Sequence, residues 1–150
     1  MMKTVLVSAA ALINEKDQIL LAQRPDGKSM AGLWEFPGGK IEIGETAEAA
    51  LVRELREELS IQVEIPDLHP IAFASYQYET FYLLMPLFEI RHWRGALVPT
   101  EGQKLSWVAA DKLDSFPAPA ADIPLFDALK QRFAARALGQ HHCAFCHLPE

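Results

Sequence analysis

Glu54, Glu57 and Glu58 stand at i, i+3 and i+4 in "LVRELREEL". If that stretch is helical the three carboxylates share a face, where each like-charge pair costs roughly 0.2–0.5 kcal/mol. A divalent cation turns such repulsion into coordination, and clustered carboxylate oxygens suit Mg²⁺ or Mn²⁺. The same residues admit a plainer reading, a solvated face on which Arg53 and Arg56 pair with Glu48 and Glu57. The residues in front of the helix favour the cation. In "EFPGGKIEIGE", Pro37 and the Gly38–Gly39 pair imply a tight turn with exposed backbone. A bare glycine carbonyl reaches a metal where a side chain would obstruct. Gly44, Glu45 and Thr46 then read as a helix start, with acid near the positive end of the dipole.

From Gly39 to Ile61, "GKIEIGETAEAALVRELREELSI" resembles the Nudix box: Gly, five residues, Glu, seven residues, then Arg-Glu-apolar-x-Glu-Glu-x-Gly-apolar. Gly39, Glu45, Arg53, Glu54, Leu55, Glu57, Glu58 and Ile61 all fall on pattern positions. Ser60 departs from it, standing where the family has glycine and where a left-handed residue costs about 1–2 kcal/mol. The carboxylates lie upstream, so no loss of chemistry is expected from it. The resemblance implies hydrolysis of a nucleoside diphosphate linked to another moiety. It implies that Glu54, Glu57 and Glu58, with the Gly39 carbonyl, hold Mg²⁺, with Mn²⁺ as substitute. It also implies that Arg53 orients the glutamates and that Glu45 braces the loop. Glu54, Glu57 and Arg53 are accordingly the catalytic candidates.

"LLAQRP", "LWEFPGGK" and "TEGQ" are similar in order and spacing to the MutT branch, whose members convert nucleoside triphosphates to monophosphate and pyrophosphate and sanitise oxidised guanine nucleotides. That similarity makes Glu101 a further metal ligand or general base, and Arg24 a nucleotide contact. In "FPAPAADIPL", Asp122 takes the position of an asparagine that presents its amide to the base. An ionised aspartate only accepts hydrogen bonds, so the edge it reads would differ. Asp122 also reads as the cap of a helix starting at Ile123–Pro124. Phe36 and Phe81 are candidates to stack on a base, against the alternative of core packing. The implied reaction is Mg²⁺-dependent hydrolysis of (deoxy)nucleoside triphosphates, with 8-oxo-dGTP the first candidate. Pyrimidine triphosphates such as CTP or dCTP, nucleotide sugars, and a binding module without catalysis are the alternatives. The costly acidic cluster argues against the last.

The elements that must hold these residues read as follows. Strands are expected near Thr4–Ile13, Gln18–Gln23, "LWEF", Gln62–Val63, Ile71–Tyr78, Phe81–Arg91 and Lys104–Val108. Helices are expected at Thr46–Leu59, with Leu51, Leu55 and Leu59 on its buried stripe, and at Ile123–Ala137, with Leu125, Phe126, Leu129, Phe133 and Leu138 apolar. There is no regular βαβ rhythm, which argues for an α+β fold with a mixed sheet packed between helices. By resemblance this is the Nudix α/β/α sandwich with a central mixed β-sheet.

The chain has 150 residues, half of them hydrophobic and 23% charged, with ten prolines, the size of one domain with a proper core. Residues 1–139 are expected to form that domain and 140–150 a short tail. "MMKTVLVSAAALI" has signal-peptide features, but the polar "NEKDQ" between two β-rich runs reads better as strand, hairpin and strand, which points to a cytoplasmic protein. No apolar run reaches the roughly 18 residues of a membrane span. The net charge of −6 argues against duplex nucleic-acid binding and leaves a small-molecule nucleotide as partner, with the protein a monomer or small homo-oligomer. In the tail, "HHCAFCH" (141–147) carries the spacing of haem attachment and could offer zinc four ligands, though ten residues provide no fold to hold them.

Overall fold

The computed structural model describes residues 2–139. The fold is organised around β1 (Lys3–Leu12), whose last residues are buried on both faces. Successive strand residues point to opposite sides. Ala9 and Ala11 therefore enter one hydrophobic core and Ala10 and Leu12 a second. β2 (Gln18–Gln23) divides in the same way, Ile19 and Leu21 from Leu20. A sheet apolar on both faces must be covered on both. α1 (Ala47–Leu59) covers one with Leu51, Leu55 and Leu59, and α2 (Ile123–Ala137) the other with Leu125, Phe126 and Leu129.

The remaining strands are β3 (Trp34–Glu35), β4 (Gly38–Lys40), β5 (His69–Gln77), β6 (Phe81–Ile90) and β7 (Lys104–Ala109). They build two sheets, ordered β4-β1-β6-β5 and β3-β2-β7. The first is mixed, because β1 runs parallel to β6 while β4 and β5 pair antiparallel; the second is wholly antiparallel. The α+β sandwich expected from the sequence is the fold observed, with its strands divided between two sheets. No helix among the described residues is long and apolar enough to cross a membrane.

Several local expectations are corrected. The last three residues of "PGGK" form a strand, with Gly39 opposite Ser8 and Gly38 opposite Ala9. Glycine is required there because a Cβ on Gly38 would lie 2.0 Å from the Ser8 carbonyl oxygen. Gln62–Val63 is not a strand: Gln62 forms a single bridge to Arg94, and Val63 turns into the core under α1. Leu138 caps the end of α2 and is exposed. Two short 3-10 turns, Ile65–Asp67 and Ala110–Ser115, carry too few residues to show a helical period. The "HHCAFCH" segment lies outside the described residues.

Candidate active site

α1 begins with the Thr46 hydroxyl accepting the Ala49 N–H at 3.1 Å, and its fully buried leucines fix the rotation of the helix. That rotation brings Arg53 to the centre of a network. Its Nε and Nη2 donate to the two Glu45 oxygens at 2.7 and 2.8 Å, a bidentate pair. Nη1 donates to Glu54 at 2.9 Å and Glu57 at 3.3 Å, and Nη2 also reaches the Lys40 carbonyl at 3.1 Å. The loop before α1, the end of β4 and two helix carboxylates thus meet on one guanidinium. Glu45 is held down to about 2, chiefly by Arg53 and then by the Glu42 N–H. The glutamates in turn push Arg53 above the ordinary arginine value.

Glu54 is the most enclosed of this group, its side chain 15% exposed against 60% for Glu57. Its carboxylate occupies the space beside Gly39, where a Cβ would stand 2.3 Å from the carboxyl carbon. A side chain at position 39 would expel it. Glu58 is pushed up to about 8, first by burial and then by the charges of Glu54, Glu101 and Glu35, with some relief from the Gly38 backbone. Glu101 therefore faces the same region as α1, and its exposed carboxylate also lies 3.4 Å from Lys28 Nζ. Among the described residues no three acidic or histidine side chains converge closely enough to ligate an ion as they lie, since Arg53 draws Glu54 and Glu57 to itself.

A second group gathers around β3. Arg24, at the end of β2, pairs with Glu35 at 3.2 Å, while its Nε is buried with no hydrogen-bond partner among the described residues. Asp122 is 4% exposed and accepts the Phe36 N–H at 3.3 Å. Burial first, then the Glu35 charge, push it up to about 8. That shift favours the protonated carboxyl, which both donates and accepts, over the acceptor-only anion expected from the sequence. Asp122 does occupy the helix cap position, but its side chain makes no capping bond.

A match to the NUDIX domain covers residues 8–128. The chain belongs to the NUDIX domain family. It is 41% identical over 129 residues to the CTP pyrophosphohydrolase of Escherichia coli K12, covering 85% of this chain and 93% of that one. It is 36% identical over 127 residues to an 8-oxo-dGTP diphosphatase of Haemophilus influenzae, covering 85% and 92%. Among solved structures, the solution structure of the E. coli ORF135 protein superposes with a TM-score of 0.78 at 38% identity, covering 90% of this chain and 94% of that one.

This Nudix chain thus brings Arg53, Glu54, Glu57, Glu58, Glu101 and Gly39 to one face of α1, and Arg24 and Asp122 to the β3 side. Phe36 is corrected as a base-stacking candidate: its ring is 5% exposed and packs edge-on against Phe126, 5.4 Å between centroids. Its backbone N–H is the group that meets Asp122. Phe81 stacks on Tyr78 at the border of the same core. Two residues went unread in the sequence. Glu35 pairs with Arg24 and raises both Glu58 and Asp122, so it lies between the two groups. A charge inside the apolar run "LWEF" was its signal. Tyr78 accepts the Ala121 N–H at 3.1 Å beside Asp122, and a tyrosine just past the end of β5 carries no such signal.

Proposed function

We propose that this Nudix protein hydrolyses (deoxy)nucleoside triphosphates to monophosphate and pyrophosphate, with oxidised guanine nucleotides such as 8-oxo-dGTP as first substrate. The observation that carries the reading is the Arg53 network, which collects Glu45, Glu54 and Glu57 around the Gly39 strand. The donor set is hard oxygen throughout, and the cradle beside Gly39 is filled by a carboxylate only because no Cβ is there. These residues fit a divalent cation. Glu54, Glu57 and Glu58, with the Gly39 carbonyl and Glu101, would hold Mg²⁺, or Mn²⁺ in its place. When bound, the cation neutralises phosphoryl oxygens and lowers the pKa of water.

The chain's own residues do the rest. Arg53 keeps Glu54 and Glu57 oriented, and Glu45 holds Arg53. Glu101, whose half-exposed carboxylate is open to water, would accept a proton from the attacking water. Arg24 offers a buried N–H without a partner to an acceptor on the nucleotide. A neutral Asp122 presents a donor beside an acceptor. Ordinary guanine shows two acceptors, O6 and N7, on its outer edge. Oxidation at C8 places a hydrogen on N7, which makes that edge complementary to the carboxyl.

Cytosine, with an amino donor beside a ring acceptor, matches the same carboxyl, and one relative is a CTP pyrophosphohydrolase. Pyrimidine triphosphates are therefore the second reading. In either case residues 1–139 act as a single cytoplasmic domain, as a monomer or small homo-oligomer without duplex nucleic acid as partner, followed by the 140–150 tail.

The test is product analysis by anion exchange with Mg²⁺ and a panel of 8-oxo-dGTP, the common NTPs and dNTPs, and ADP-ribose, with Glu57→Gln in parallel. Glu57 is exposed enough that the change leaves packing intact. Monophosphate and pyrophosphate formed from 8-oxo-dGTP far faster than from dGTP, with a dead variant, is the expected result. Preference for CTP or dCTP selects the second reading. Nucleotide binding without cleavage overturns the enzymatic one.

A further inference from the structure

The last carbonyls of a helix have no partner within it and must find one outside. In α1 those carbonyls belong to the segment that carries the acidic residues, and one loop supplies the donors. The Val98 N–H reaches the Leu59 carbonyl at 2.9 Å, and the Thr100 N–H the Glu58 carbonyl at 3.0 Å. The Thr100 hydroxyl donates to the Glu57 carbonyl at 2.7 Å, with Glu58 O at 3.2 Å. Gln103, a buried polar residue, donates from Nε2 to the Glu58 carbonyl at 3.3 Å. The other end of the same amide, Oε1, accepts the Glu101 N–H at 2.8 Å.

One side-chain amide therefore joins the backbone of Glu58 to the backbone of Glu101. No carboxylate and no apolar side chain can do both, because the task needs a donor and an acceptor in one group. Between them Gly102 turns at φ +72°, with open space where a Cβ would stand. The Glu101 side chain is half-exposed, and among the described residues its ion pair is the 3.4 Å contact with the exposed Lys28. Its position relative to the α1 carboxylates is set through the backbone.

We propose that Thr100 and Gln103 are positioning residues, which clamp the Glu101 loop to the carbonyl end of α1 and so set the distance between Glu101 and Glu58. This rests on the reading of Glu101 as part of the site. Groups that hold a metal's ligands in place typically change affinity or activity 10–100-fold when lost. Thr100→Val keeps the shape and removes the hydroxyl; Gln103→Met keeps the length and removes both hydrogen bonds. Each is expected to weaken Mn²⁺ binding about 10-fold, measured by electron paramagnetic resonance without nucleotide, and to lower kcat about 10-fold or more with KM little changed. Thr100→Ser, which keeps the hydroxyl, is expected to restore both.

The control is Glu101→Gln. If the clamp acts through Glu101, Thr100→Val has no further effect on Mn²⁺ affinity in that background. Additive losses overturn the proposal, as does wild-type Mn²⁺ affinity in folded Thr100→Val and Gln103→Met, or a Glu101→Gln variant whose Mn²⁺ affinity is unchanged. Should the wild-type protein bind Mn²⁺ and cleave no nucleotide, the proposed activity fails, while the clamp is still judged on Mn²⁺ affinity alone.

Discussion

Asp122 shows how far a single residue's role depends on its surroundings. In a sequence it is an anion. Enclosed at 4% exposure and near Glu35, it is pushed up to about 8 from an unfolded value near 3.8. The folded chain then holds a proton that the unfolded chain has lost, so stability falls as pH rises between those two values. Glu58, displaced in the same direction, adds to the slope when no divalent cation is present. In EDTA the melting temperature is expected to fall steadily from pH 5.5 to 8.5. Asp122→Asn, which cannot titrate, is expected to flatten that fall; an equal slope in the variant would place the proton elsewhere. Glu45 behaves in the opposite sense. Arg53 holds it near 2, so its contribution persists above the ordinary carboxylate range and is lost only as pH drops through about 4.5 to 2.

At the scale of the elements, α1 and α2 are tied down by different means. α1 ends on Ser60 in the left-handed region, φ 62° and ψ 25°, with its N–H still bonded to the Arg56 and Leu55 carbonyls. Serine accepts the conformation that glycine adopts freely, and the helix ends as it would with glycine. Ser60→Gly should therefore raise stability in urea unfolding by about 1 kcal/mol and leave kcat unaltered. A large gain in activity would mean that Ser60 disturbs the carboxylates after all. α2 is anchored by Glu89 on β6, whose side chain is 4% exposed and takes Arg91 at 2.7 Å, Arg132 at 2.9 Å and Arg136 at 3.3 Å. Two of the three arginines come from the helix. Arg91 keeps a second anion, Asp17 at 3.0 Å, but removing Glu89 takes from the partly buried Arg132 and Arg136 the anion they share, and Glu89→Gln is expected to cost about 3 kcal/mol by the same measurement. Activity measured below the melting point should survive, because Glu89 belongs to neither group of site residues.

For the whole molecule, the acidic cluster is a cost that a ligand removes. Burial first, and then the charges of Glu54, Glu101 and Glu35, displace Glu58 upward in a chain of net charge −6. A cation that binds only the folded state stabilises it by about 2.7 kcal/mol at one hundred times its Kd. Mn²⁺ or Mg²⁺ should raise the melting temperature and EDTA reverse the gain, whereas Glu54→Gln, which removes the most enclosed carboxylate, should abolish most of the shift. A melting temperature indifferent to divalent cations in the wild-type chain would overturn the assignment of this face of α1 as a metal site.

The spacing of Glu54, Glu57 and Glu58, the leucine stripe behind them and the glycines ahead of them were legible without coordinates, because a helix of fixed pitch converts spacing directly into a shared face. The first two strands were legible because β-rich runs flank the polar "NEKDQ", whereas the split of Ala9 and Ala11 from Ala10 and Leu12 between two cores was not. Local pattern thus marked the main elements and the acidic face, and the motif from Gly39 to Ile61 carried the resemblance to the family. Neither carried anything about contacts between distant segments. That Gly39 lies against Glu54, that Gln103 joins Glu101 to Glu58, that Glu35 stands between the two groups, that Phe36 is core, and that burial pushes Asp122 up all follow from which buried surfaces meet. Burial and nearby charge push Glu58 and Asp122 well above the usual carboxylate range, and neither is a property of the residue or its neighbours in the chain. Only the packing of α1, α2 and two sheets decided them.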